Sequence, residues 1–325
     1  MNLLSNTMKK LIICVMLSAT LWSCKKSNDP HLISKSSDLQ KSEVTFNISD
    51  FSQKVEDLSK TKESKISSVS LKSVVAYLSY IVYDLNGNEV SRIKQDSLGN
   101  TTRIFKSPSS NHELALGKKQ YGCIRDSLSA GTYTVIMAAS NTFFEINRRT
   151  ANFEFQFYPL NEAYLQYMRG ADSYYRTSDT YFKKISITVS KENLQTPVVL
   201  DRIVGKIDLT ILDAKADTKY RVIFENENEA YKFSNETPYG DLSLFLPKDY
   251  KGPNTSYFIL NTMTPVTVRI LYSEGDVKME KKIVNVKVFK NKRTILTGNL
   301  HKAVNAGFNV NVNNKFDDDA TTVEF

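Results

Sequence analysis

Cys24 is the residue whose surroundings assign it the clearest chemistry. Lys9 and Lys10 precede twelve uncharged residues, Leu11 to Trp22, and the thiol follows directly after Ser23. A helix that crosses a membrane needs about 20 apolar residues, so this run is too short to span one. Its proportions are those of a secretory signal: a charged start, an apolar core, then a cut. An ordinary small-x-small cut is poorly served, because Trp22 stands between Leu21 and Ser23. The order Leu21-Trp22-Ser23-Cys24 instead resembles the bacterial lipobox, in which the cysteine becomes the first mature residue and its thiol is diacylated. Simple secretion and a retained signal are the competing readings. Two or three acyl chains of the palmitate kind, at about 0.8 kcal/mol per buried methylene, anchor a protein stably where one chain does not.

The other reactive side chains point to no reaction. Of three cysteines, Cys14 leaves with the signal and Cys24 takes lipid, so Cys123 has no partner for a disulfide. That excludes a disulfide scaffold and a cysteine-cluster metal site. Cys123, in "YGCIRDS", reads as a small buried residue in a strand. His31 in the tether, His112 in a polar loop and His301 in "GNLHKAV" show no HExxH or related spacing. No GxSxG, GxGxxG or phosphate loop occurs. Asp317 to Asp319 lack the alternating oxygens and glycine of an EF-hand loop and read as a solvated turn. No two carboxylates are placed as a glycosidase pair. We therefore expect no catalytic residue, no cofactor and no metal, and a function exercised through anchoring, surfaces or strand edges.

The elements that carry these residues are strands. From residue 42 onward the apolar period is two: Val44, Phe46 and Ile48 alternate with polar residues in "EVTFNIS". "VVAYLSYIVYDLNGNEVSRI" holds two β-rich runs around Asn86-Gly87, a strong hairpin signal. "LSAGTYTVIMAAS", "YFKKISITVS", "DRIVGKIDLTIL", "KYRVIFEN", "DLSLFLP", "TPVTVRILYS", "KKIVNVKVF" and "AGFNVNVNN" continue the pattern, as antiparallel sandwiches do. "PLNEAYLQYMRGADSYY", residues 159–175, breaks it and is expected to be a short helix or a long excursion. Pro197 is expected to interrupt the chain near a domain boundary. The predicted organisation is a signal peptide over 1–23, a flexible polar tether over 24–41, and two β-sandwich domains over 42–198 and 199–325. Phe46, Ile48, Tyr80, Val82, Tyr133 and Val135 are predicted to be core in the first domain. Ile207, Leu209, Ile211, Val222, Phe224, Val268, Ile270, Val286 and Val288 are predicted core in the second. Removing the signal takes Lys9 and Lys10 and no acid, so the net charge of +8 falls to +6. The excess is dispersed, without the basic clusters and interleaved aromatics of a nucleic-acid surface.

Several of these stretches, taken in order, resemble the Bacteroidetes fimbrillin superfamily, in particular its fimbrium anchor and accessory subunits. They are the lipobox at Cys24, "VTFNISDF", "YIVYDLNGNEVSRI", "LSAGTYTVIMAAS", "DTYFKKISITV", "VVLDRIVGKIDLTILD" with Arg202, and "LTGNLHKAVNAGFNVNVNNKF". The resemblance implies an all-β chain of two transthyretin-like antiparallel sandwiches that partners fimbrial subunits by strand exchange. It also implies a lipid anchor in the outer membrane through Cys24. In shaft subunits of this group an Arg-specific protease removes the first strand. Here no arginine lies between Cys24 and Arg92. The lipid and the first strand should then stay attached, as suits an anchor. Ser97 and Ser127, each in an Asp-Ser-Leu triplet, match the short O-glycosylation pattern of the group. "ATTVEF" reads equally as a donor strand or as the last strand of the second domain. The rival reading is a glycan-binding surface lipoprotein of a nutrient-uptake system; 17 Tyr and 17 Phe supply rings for it, though their alternation suits core packing.

Overall fold

The first described strand is β1 (Lys41–Ser52), which buries Val44, Phe46 and Ile48 on one face. The computed structural model describes residues 41–52, 74–106, 111–147, 157–167, 177–240, 242–245, 250–301 and 308–313, and the elements among them are all strands. These strands fall within one compact unit, residues 40–325. Cys24, His31, Asp317 to Asp319 and the "ATTVEF" terminus lie outside the described residues.

β2 (Tyr77–Tyr83) and β3 (Glu89–Asp96) form the hairpin expected at Asn86-Gly87. Gly87 alone of that pair takes a positive φ, +78°, and its N–H donates to the Asp84 carbonyl at 3.0 Å. The Asp84 carboxylate accepts from the N–H groups of Asn86 and Asn88, which locks the turn. The same Asp-x-x-Gly-Asn pattern recurs at residues 96–100. There Asp96 accepts from Leu98 and Asn100, Gly99 has φ +83°, and the chain enters β4 (Asn100–Lys106).

β5 (Asn111–Lys118), β6 (Cys123–Ser129) and β7 (Gly131–Ser140) follow, then the short β8 (Phe144–Ile146) and β9 (Tyr164–Tyr167), then β10 (Thr180–Val189) and β11 (Leu194–Arg202). The large sheet runs β5-β4-β3-β2-β7-β10-β11-β1-β6. Both faces of β2 are buried. Tyr80 and Val82 join Phe46, Val135 and Leu200 in one apolar cluster, confined to residues 44–200. Ile81, Tyr83, Ile136 and Phe182 face the other way, into a cluster that continues to Leu300. Of the predicted core in this half, Tyr133 is only partly buried; its hydroxyl reaches the Ser129 carbonyl at 2.9 Å.

The second half comprises β12 (Gly205–Ile211), β13 (Lys219–Glu227), β14 (Ala230–Lys232), β15 (Thr237–Tyr239), β16 (Leu242–Phe245), β17 (Tyr250–Lys251), β18 (Asn254–Ile259), β19 (Val266–Glu274), β20 (Val277–Val286), β21 (Arg293–Gly298) and β22 (Asn309–Asn313). Two sheets, β18-β12-β21-β22 and β16-β13-β19-β20, share one apolar cluster. Phe224 of β13 meets Tyr257 of β18 edge to face at 5.0 Å, one sheet against the other. All nine predicted core residues of this half are buried.

Among the described residues two pairings are parallel, β1 with β11 and β12 with β21. Their partners are far apart in the chain, as parallel pairs require. Residues 159–175 are corrected in their described part. Pro159 opens a turn, accepting from Glu162 and Ala163, and β9 follows as a strand, with residues 168–175 outside the description. β9 pairs with β8 on one side and β14 on the other, so cross-strand partners outweigh the local helix signal. His112 is likewise in strand β5, exposed, and not in a loop.

Candidate functional site

β10 and β11 are consecutive, separated only by residues 190–193, yet they hydrogen-bond as a ladder at two pairs alone, Tyr181↔Arg202 and Phe182↔Asp201. β10 keeps its full ladder to β7, and β11 keeps its own to β1. Between them the large sheet parts. A cavity of about 450 Å³ opens there, lined by Ile185, Ile187, Leu194, Thr196 and Val198. Ile185 and Leu194 are partly buried and pack on the cluster beneath, so the seam gives access to the core of the first half. Over residues 183–189 and 194–200, each strand has no ladder partner on the seam side among the described residues. Unpaired backbone beside an apolar floor is the arrangement that accepts an added strand. Pro197 does not interrupt the chain as expected. It lies within β11, where a strand bordering an open seam tolerates a missing N–H.

The closed end of the seam is held by charge. Arg202 donates from Nε and Nη2 to the two Asp179 oxygens, at 2.7 and 2.9 Å, and from Nη1 to Asn291 Oδ1 at 2.9 Å. It also bonds the Tyr181 hydroxyl and lies over that ring, 4.9 Å from its centre. The guanidinium is almost fully buried, and the fork-to-fork geometry compensates its lost hydration. Asn291 N–H in turn donates to Val204 at 2.9 Å, tying β11 to the turn before β21.

β1 lies inside the sheet, antiparallel to β6 over Lys41 to Asn47 and parallel to β11 from Val44 to Ser52. The first arginine after Cys24, Arg92, is fully buried; Nε and Nη2 reach Glu89 at 2.7 and 2.6 Å. Burial raises the Glu89 pKa despite that partner.

The remaining candidates are scattered. Ser97 is half-exposed in the β3–β4 turn, beside the Asp96 that locks it. Ser127 is exposed on the edge strand β6, next to a buried Asp126 that pairs with Arg103 at 2.7 Å. Cys123 begins β6 and is partly exposed. His301 Nδ1 contacts Glu274 at 2.7 Å on the surface. Neither the seam nor the partners of Arg202 are legible in the sequence. The available signal was a proline inside one arm of an otherwise regular hairpin.

Residues 100–325 match the model of a family described as fimbrillin-A associated anchor proteins Mfa1 and Mfa2. The chain belongs to this family. Its membership associates the chain with fimbriae and with other fimbrial subunits, and the description is of anchor proteins, not of enzymes. Among solved structures, a Bacteroides thetaiotaomicron protein described as a candidate polysaccharide-binding protein is similar with a TM-score of 0.51 at 12% identity, over 83% of this chain and 97% of that one. The fimbrial anchor protein Mfa2 from Porphyromonas gingivalis gives 0.49 at 10% identity, over 84% and 98%. No curated protein sequence matches the chain.

Proposed function

We propose that the protein is a non-enzymatic, lipid-anchored subunit at the base of a fimbrium, held in the outer membrane through Cys24 and joined to its neighbour by β-strand addition. In this reading residues 1–23 are removed, 24–41 form the tether, and the body divides into sandwich domains over 42–198 and 199–325. The carrying observation is the place of β1. It follows the tether directly and is enclosed between β6 and β11. A subunit that polymerised after losing β1 would expose two sheet edges and the cluster around Phe46 at once. A subunit that keeps β1 keeps its lipid joined to its body. The test is metabolic labelling with a fatty acid. The protein should take up label and Cys24→Ala should not; label retained by that variant overturns the lipid anchor. Intact-mass measurement of the same material also tests Ser97 and Ser127, since a mass explained by lipid alone dismisses both as glycan sites.

The second reading, a glycan-binding surface lipoprotein of an uptake system, draws on the description of the B. thetaiotaomicron relative. Gene deletion distinguishes the two: loss of an anchor sheds fimbriae from the cell, whereas loss of an uptake protein abolishes growth on the glycan it captures.

A further inference from the structure

Beyond the closed end of the β10–β11 seam lies a second cavity, of about 210 Å³. Its charged lining is Lys183, Lys184, Asp201, Arg202, Glu236 and Lys290, brought together from four separate stretches of chain. Three of the cations have carboxylate partners. Lys183 Nζ is 2.7 Å from Asp201, Lys184 Nζ is 3.0 Å from Glu236, and Arg202 is held by Asp179. Lys290 differs. Its ammonium donates to the Tyr231 hydroxyl at 3.1 Å and to the Glu236 carbonyl at 3.3 Å, both uncharged acceptors, and lies 5.1 Å from the centre of the Tyr231 ring. Among the described residues no carboxylate forms an ion pair with it. The residue as a whole is exposed, but its tip is pressed against Tyr231, and the lost hydration lowers its pKa. Glu236 and Asp201 attract Lys290 only at longer range, so four cations meet three carboxylates and the excess charge lines a concavity.

We infer that this cavity binds one acidic sugar residue, its carboxylate on Lys290 and its hydroxyls on the rim carboxylates. Two features select that class. The side chains of Asp201 and Glu236 remain 52% and 45% exposed at the rim, where they can accept from hydroxyl groups. A peptide carboxylate would bring the anion without the hydroxyl donors that those two rim carboxylates can accept from. The cavity also suits a single ring better than a protein surface. The proposal is independent of the anchor reading, since it involves neither Cys24 nor β1.

The test is calorimetric titration of the full-length protein in detergent with D-glucuronate, D-glucose, N-acetylglutamate amide and inorganic phosphate in turn. Glucuronate should bind saturably and glucose should not. Lys290→Met should weaken glucuronate about tenfold or more, as for the loss of one charge-assisted hydrogen bond. Lys183→Met, on the opposite wall, should weaken it too. Unchanged melting temperatures of both variants without ligand establish that they are folded. Absence of saturable glucuronate binding at about 10 mM, or equal binding by folded Lys290→Met, overturns the proposal. So does binding of N-acetylglutamate amide or phosphate as tightly as glucuronate, which would make the cavity a general anion or peptide-carboxylate pocket.

Discussion

At the scale of single residues, the buried charges decide behaviour. Glu227, at the end of β13, is fully enclosed. One oxygen accepts from Leu260 and Asn261 N–H at 2.8 and 3.0 Å; the other has no partner among the described residues. Burial outweighs those bonds and pushes its pKa from 4.5 up to about 8. The folded chain therefore holds this proton longer than the unfolded one. The group's stabilising contribution is complete below pH 4.5 and is lost as pH rises through about 8. Glu227→Gln should flatten that decline and be the more stable protein at pH 9, as read by urea denaturation across pH. Parallel curves for the two proteins would refute the buried carboxyl. Arg202 follows the opposite logic: Arg202→Met strands Asp179 and should cost about 3–5 kcal/mol by the same measurement. The sequence presents Glu227 as one acid among several in "FENENEA" and Arg202 as a landmark without partners. Asp179 and Asn291 are too distant in the chain for any local pattern to join them to it.

At the scale of elements, alternation identified strands well because it reports which face is apolar, and every quoted β segment lies in or beside a strand. It does not report neighbours. Nothing in "EVTFNIS" says that β1 runs parallel to β11, a partner about 150 residues away, or that it is enclosed on both sides. The same limit explains β9. Ala163, Leu165 and Tyr167 are buried with a period of two, but the strand gains its identity from β8 and β14. The seam is not legible in the sequence, because a hairpin's sequence does not disclose whether its arms stay paired. Phe46 tests the enclosure of β1: it is fully buried against Tyr80, with ring centres 5.3 Å apart. Phe46→Ala should destabilise by about 3–5 kcal/mol in thermal or chemical unfolding. Leu85→Ala, in a turn and 80% exposed, should change stability by less than about 0.5 kcal/mol. A Phe46 variant as stable as that control would mean β1 is dispensable to the sheet.

At the scale of the whole molecule, the proposed anchor requires a protein that remains in one piece from lipid to body, and β1, enclosed between β6 and β11, suits that requirement. An Arg-specific protease meets no arginine before Arg92, whose side chain is 0% exposed in the folded protein. We expect the surface form to start at Cys24 and to survive that protease with β1 intact, as N-terminal peptide mapping would show. A native N-terminus beyond residue 51, with the body in fibres, would make it a polymerising subunit. The place of β1 also has a mechanical meaning. Ladder hydrogen bonds lie roughly across the strand axis. Tension entering at Lys41 and directed along β1 therefore loads the bonds to β6 and β11 side by side, in shear, whereas tension across the strand would peel them one after another. A tethered fibre dragged by flow would pull on a joint whose rungs must fail together.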